Sequence, residues 1–203
     1  MKAYLLIAVL GCLALVANVQ GATKPAETLK NLNEAYQDEA NAYERYAIFA
    51  KKADEEGFPQ VARLFRAASR SEQAHRDAHK EAIEKLGGKV PALTPEKVKV
   101  GTTRENLEAS LKGETYESVT MYPAFIKKAK EANAEPAVRS FNFARLAEAE
   151  HAKLYKDALN NLGKNAKADY YVCPVCGNTE TELPAKKCPV CGNPRDKWEK
   201  IDQ

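Results

Sequence analysis

The chain is 203 residues long, 29% charged and 44% hydrophobic, which suits one or two soluble domains with a sizeable core. Its formal net charge is only +3, so neither nucleic acid nor an anionic membrane surface is called for as a partner. The first 21 residues stand apart: Lys2 gives a positive start, Ala3 to Ala17 is an apolar run, and Val19-Gln-Gly21 offers small residues for cleavage. This reads as a secretory signal peptide over residues 1–21, with the mature protein exported, as to a periplasm. An uncleaved anchor is the alternative, although the run is short for a membrane span. Removing the leader takes away one lysine and no acid, leaving +2.

From about Ala26 to Glu55, Leu32, Tyr36, Glu39, Tyr43, Tyr46 and Ala50 recur at threes and fours, which predicts a first helix. Gly57-Phe-Pro59 ends it and starts a second, which runs to Leu86 and stops at Gly87-Gly88. One face of the second helix carries Phe65, Ala68, Glu72, His75, His79, Ala82 and Leu86. Residues 87–103 form the one long connector, able to reach roughly 56 Å when extended, against about 42 Å for the helix before it. A third helix, Arg104 to Ala132, places Leu107, Leu111, Glu114, Glu117, Met121 and Phe125 on one side, with Pro123 expected to kink it. A fourth runs from Pro136 to Leu162 and Gly163, with Phe141, Ala144, Glu148, His151, Tyr155, Ala158 and Leu162 inward. Two short-looped hairpins joined by a long crossover define a ferritin-like four-helix bundle, here over residues 24–165.

The second and fourth helices repeat at an offset of 76, with Tyr155 standing where His79 does. The offset also pairs Tyr46 with Tyr122, Phe49 with Phe125 and Arg63 with Arg139, so the chain reads as a duplicated helical hairpin. Each copy supplies a Glu-x-x-His, Glu72 with His75 and Glu148 with His151, whose side chains share a helix face. Glu39, Glu72, Glu114, Glu117 and Glu148 all fall on apolar faces, where glutamate needs a partner or a metal. One Glu from each of two helices plus a Glu-x-x-His from each of the others makes a dinuclear carboxylate site, whose oxygen and imidazole donors suit Fe or Mn. Glu39 precedes Tyr46 by seven residues but Glu114 precedes Tyr122 by eight. One extra residue can be absorbed as a π-bulge, or the repeat is simply imperfect.

After the helices come Cys173-Pro-Val-Cys176-Gly and Cys188-Pro-Val-Cys191-Gly, two knuckles separated by 11 residues. Two disulfides are the alternative in an exported protein, but near-identical knuckles favour a tetrathiolate holding Fe or Zn, within a small domain spanning residues 168–203. With Zn the module would be structural; with Fe it would carry one electron.

Over residues 24–203 the chain resembles rubrerythrin. The resemblance rests on Asp38-Glu-Ala-Asn-Ala-Tyr-Glu-Arg-Tyr-Ala-Ile-Phe-Ala50, the two Glu-x-x-His pairs, Gly113-Glu-Thr-Tyr-Glu-Ser-Val-Thr-Met-Tyr-Pro123 and the knuckles. It implies an oxidoreductase that reduces hydrogen peroxide at a di-iron centre, drawing electrons from a donor protein through a rubredoxin-like Fe(Cys)4 domain. By the same resemblance Glu39, Glu72, His75, Glu114, Glu117, Glu148 and His151 would bind the two irons, one iron moving between His75 and Glu117 with redox state. Tyr46 and Tyr122 would hydrogen-bond near the site, Cys173, Cys176, Cys188 and Cys191 would bind the single iron, and a head-to-tail homodimer would bring the two kinds of centre together. Two features depart from the family: Asn178 follows the first knuckle where rubredoxins usually place an aromatic residue, and a leader is present. A ferroxidase using O2, or a non-catalytic metal-binding module with Zn in the knuckles, is the competing reading.

Overall fold

A computed structural model describes residues 20–202. The leader expected over residues 1–21 therefore lies outside the described residues, save Gln20 and Gly21. Five α-helices, α1 (Gln20–Glu55), α2 (Pro59–Lys85), α3 (Thr103–Tyr116), α4 (Tyr122–Glu131) and α5 (Glu135–Asn160), form a four-helix bundle in which α3 and α4 are one rod. They are joined by a π-helical turn, Glu117–Met121, so the extra residue between Glu114 and Tyr122 is absorbed as a bulge. Pro123 sits in the first turn of α4, just past the bulge, where its missing N–H is tolerated. The first helix starts earlier than Ala26 and runs through Pro25. The other ends differ from expectation by one or two residues, as helix ends commonly do.

The duplication extends to the turns. Gly57 and Asn133 take positive φ (80° and 53°), and so do Gly87 and Gly163 (73° and 88°), each pair 76 residues apart. Phe58 N–H to Ala53 O and Ala134 N–H to Ala129 O close the two hairpin turns alike. The long crossover is strapped to α1: Gln37 exchanges two hydrogen bonds with the Thr94 backbone, and Asn41 accepts one from Glu96 N–H. At its far end Thr102 and Glu105 form a capping box for α3. Glu56, at the end of α1, accepts from Thr103 N–H, a bond that helps hold its carboxyl down to about 2.

Two apolar clusters fill the bundle, one above and one below the buried carboxylates. Tyr46, Phe49, Leu64, Phe65, Leu107 and Tyr155 lead the first; Leu32, Ile83, Met121, Tyr122, Ile126 and Phe141 lead the second. Each fully buried Leu, Ile or Phe contributes roughly 1.5–3 kcal/mol, enough together to hold charged groups in the layer between.

The C-terminal part is a three-stranded antiparallel sheet in the order β2-β1-β3, from β1 (Tyr170–Val172), β2 (Thr179–Glu180) and β3 (Glu199–Ile201). It packs on α2 of its own chain. Tyr170 and Val172 join the first apolar cluster, Arg63 pairs with Asp169, and Arg70 grips Glu199 through two bonds.

Candidate metal centre

Four helices each deliver carboxylates to one buried layer. Glu72 and His75 on α2 and Glu148 and His151 on α5 are at most 1% exposed, as is Glu114 on α3; Glu39 on α1 is 2% exposed. Their donor atoms form two overlapping groups, Glu39–Glu72–His75–Glu148 and Glu72–Glu114–Glu148–His151, each with all atoms within 4.8 Å of one another. Glu72 and Glu148 belong to both groups and can bridge two ions. Glu39 with His75, and Glu114 with His151, are placed to finish one ion each.

Both histidines aim Nδ1 inward. His75 Nδ1 lies 2.7 Å from Glu72 and 2.8 Å from Glu148, and His151 Nδ1 lies 2.9 Å from Glu148 and 3.3 Å from Glu114. Their Nε2 atoms point outward to the first knuckle: His75 to the Cys176 carbonyl at 3.1 Å, His151 to Thr179 Oγ1 at 3.0 Å. A carbonyl can only accept, so His75 donates to it from Nε2, which leaves Nδ1 as the nitrogen that would bind a metal on losing its proton. Thr179 Oγ1 in turn donates to Gly177 O, the same carbonyl that accepts from Ser71 Oγ at 2.5 Å. Thus both imidazoles are oriented by a stretch of four residues, 176–179.

The tyrosines act crosswise. Tyr46 on α1 donates to Glu114 Oε1 at 2.5 Å, and Tyr122 on α4 donates to Glu39 Oε1. Burial, then the charges of Glu114 and Glu39 respectively, push both phenols well above their usual range and keep them donors.

The electrostatics call for cations. Burial and then Glu148 push Glu72 far up; burial and then Glu114 do the same to Glu148. Burial works against ionising Glu114, but a bond from Glu148 and the nearby His151 hold it down to about 2. Burial likewise opposes charging His75, yet the bond and charge of Glu72 carry it up to about 9. Protons are therefore shared among carboxylates too close to ionise together. Among the described residues, Glu114 Oε2 and Glu148 Oε1 are also buried without a hydrogen-bond partner, although each sits beside an inward Nδ1. Orphaned carboxylate oxygens and imidazole Nδ1 atoms converging on two points fit two divalent ions, which would displace the Nδ1 protons.

Glu117 belongs to neither group. It lies in the π turn, half-buried, its carboxyl pushed well up by burial and by Glu114 and Glu39.

The four cysteines are free thiols whose ligand atoms also lie within 4.8 Å of one another. Cys173 and Cys191, and Cys176 and Cys188, are 3.5 Å apart, close to the roughly 3.8 Å edge of a tetrahedron with 2.3 Å metal–sulfur bonds. Asn178 does not leave a gap beside them: it is buried, its carbonyl accepts from Cys173 N–H and its amide donates to Glu180. Trp198 and Phe143 supply the aromatic packing over the cysteines.

Sequence reasoning passed over Ser71, Ser140, Thr179 and the Cys176 carbonyl. His79 was seen on the right face but given no role; it is wholly buried, with Nδ1 on Ser140 Oγ and Nε2 on the Tyr122 hydroxyl.

A family model for rubrerythrins matches residues 30–159. Nigerythrin of Nitratidesulfovibrio vulgaris is 35% identical, the match covering 86% of each chain. Rubrerythrin-2 of Clostridium acetobutylicum is 32% identical over 87% of this chain and 97% of its own. A solved structure of fully reduced, all-ferrous nigerythrin superimposes with a TM-score of 0.76, covering 85% of this chain and 86% of that one. By this likeness and its own donor set, the chain has a di-iron site in the bundle and a single-iron site among the cysteines.

Proposed function

Because this chain belongs to the rubrerythrin family, we propose that it reduces hydrogen peroxide to water, with electrons arriving through the cysteine site from a separate donor protein. The observation that carries this reading is the docking of the first knuckle on both site histidines, through the Cys176 carbonyl and Thr179. A plain iron store has no use for a one-electron carrier bonded to its ligands.

The reaction consumes one peroxide, two protons and two electrons and yields two waters. Two ferrous ions bound in the bundle would supply the two electrons, one each. Glu72 and Glu148, common to both donor groups, would serve both ions, with Glu39 and His75 completing one set and Glu114 and His151 the other. The bonds from Tyr46 and Tyr122 keep Glu114 and Glu39 from turning. Glu117, one turn from Glu114 and with its carboxyl raised by burial and by the charges of Glu114 and Glu39, would serve both as a proton donor and as a seventh ligand. Apolar clusters on either side limit water, so cleavage of the O–O bond is confined. The Cys176 backbone and His75 ring form a short bonded route along which an electron returns.

To test this, the full-length ferrous protein is mixed separately with hydrogen peroxide and with O2. Oxidation should be several-fold faster with peroxide and sustained by an added reductant. Faster oxidation by O2 would favour a ferroxidase, and a colourless protein would put zinc in the knuckles, since ferric tetrathiolate is red.

We extend the proposal to a head-to-tail homodimer. Here the contacts between small domain and bundle are made within one chain, joined by residues 161–169. Exchange of the small domain between two copies would preserve every such contact. Sedimentation should then give twice the chain mass, and a monomer would refute the dimer.

A further inference from the structure

Behind the Glu39 end of the site runs a line of buried polar groups, of which the chemistry above uses only Tyr122. Tyr122 gives its hydrogen to Glu39 Oε1. Its oxygen must then accept from His79 Nε2, 3.1 Å away, which leaves His79 Nδ1 to accept from Ser140 Oγ at 2.6 Å. Each link has one consistent donor direction, from Ser140 inward to Glu39. His79 Nε2 also lies 3.8 Å from Glu39 Oε1, beyond a hydrogen bond.

At the outer end Ser140 lines a surface cavity of about 120 Å3 together with Glu81, Lys85 and Arg139. Since one water occupies roughly 30 Å3 of liquid, the cavity has room for several. Ser140 is 4% exposed and His79 and Tyr122 not at all, so the line joins solvent to the buried layer without opening a channel.

The internal repeat supplies a control. At the matching positions of the other half, Tyr155 replaces His79 and Leu64 replaces Ser140. Tyr46 still donates to Glu114 there, but the Tyr155 hydroxyl is buried without a partner and Leu64 is 1% exposed. The bundle therefore packs well with apolar or unbonded groups at these places. Burying a serine and an imidazole is costly unless each is matched, so two matched ones on one side only are a feature in need of a purpose.

We propose that Ser140, His79 and Tyr122 form a proton path from the surface cavity to Glu39, delivering one of the two protons consumed in peroxide reduction; this rests on the function proposed above. A cavity water gives a proton to Ser140 Oγ, the hydroxide it becomes being neutralised by bulk solvent, and the serine's own hydrogen passes to His79 Nδ1. The Nε2 hydrogen passes to the Tyr122 oxygen and the phenol hydrogen to Glu39, from which it leaves with a product water. No group on the path ends with a changed net charge; rotation of the two hydroxyls and tautomer exchange of the ring restore the line.

The test uses the full-length protein. In its diamagnetic zinc-loaded form, 15N NMR of His79 should show a neutral ring protonated on Nε2; an imidazolium or the Nδ1-protonated tautomer would overturn the path. In the iron-loaded form, His79→Gln keeps a hydrogen bond to Tyr122 but cannot relay, so kcat should fall at least about tenfold, the lower side of what proton transfer supplies, with KM for peroxide little changed. The solvent deuterium isotope effect should rise. Ser140→Ala, a smaller change, should do the same with normal iron content. Active wild type with both variants unchanged overturns the path alone; wild type inert to peroxide overturns the function and the path with it.

Discussion

Gly177→Ala should uncouple the two metal centres while leaving each of them formed. Gly177 follows Cys176 with φ of 73°, a conformation that costs an L residue roughly 1–2 kcal/mol. A Cβ there would also lie within 3.0 Å of Ser71 Oγ and of the His75 ring, 2.7 Å from Cδ2. Both neighbours are buried and bonded, so they have nowhere to go; overpacking of this kind adds about 1–3 kcal/mol. The least costly relief is for the knuckle to lift off α2, breaking the bonds of Ser71 and His75 to it. Stopped-flow spectroscopy separates the steps. Oxidation of the reduced di-iron site by peroxide should persist in its first turnover, whereas oxidation of the reduced thiolate iron, seen as the return of its red colour, should slow by at least about a hundredfold, the loss expected when a positioned contact moves by an ångström. A variant that matches wild type in both phases would show that the contact carries nothing.

Loss of Glu148 should be the most damaging single change within the bundle. It belongs to both donor groups, so Glu148→Ala removes a ligand from each ion at once. Iron per chain should fall from three toward one, the red tetrathiolate surviving, and peroxide turnover should drop to background. Glu117→Ala makes the contrast: outside both groups, it should keep three irons and lose rate only. Retention of three irons in Glu148→Ala would refute the bridging assignment. The iron-stripped protein gives the same residue an opposite sign. Burial and Glu114 raise the Glu148 carboxyl well above 4.5, its unfolded value. The unfolded chain thus releases this proton first. Stability from this group is complete below about pH 4.5 and is lost as pH climbs from there toward the folded value, by about 1.4 kcal/mol for each pH unit crossed. Glu148→Gln has no proton to lose, so at neutral pH it should melt higher than stripped wild type. With iron present the order should reverse.

What could be read in advance was what leaves a repeat. The 76-residue offset aligned Glu72 with Glu148 and His75 with His151, and the seven-against-eight spacing of Glu39–Tyr46 and Glu114–Tyr122 left a π turn as one of two readings, which Glu117–Met121 decides. Those signals survive in sequence because helices impose a period. The docking of residues 176–179 left no such trace. His75 and Cys176 are 101 residues apart and meet through a carbonyl, which any residue could supply. Ser140 and His79 escaped for a related reason: a serine among apolar neighbours, or a histidine one turn past a ligand, acquires meaning only when 61 residues of chain bring them to 2.6 Å. The first helix begins before the Ala26 that the apolar spacing indicated, because its opening turns carry no apolar period and run through Pro25.

The hold of residues 176–179 on both histidines has a consequence for how the protein is made. All six residues of the two donor groups have been synthesised once position 151 is reached, before the first cysteine of the knuckles appears. A nascent bundle can gather its carboxylates and imidazoles, but nothing yet dictates which nitrogen of either ring carries the hydrogen. That decision waits for the C-terminal segment, which must itself fold around its cysteines before the Cys176 carbonyl and Thr179 are in place. Full ordering of the buried centre therefore depends on a segment made after all six of its donors, which links the two centres in their order of synthesis as well as in space.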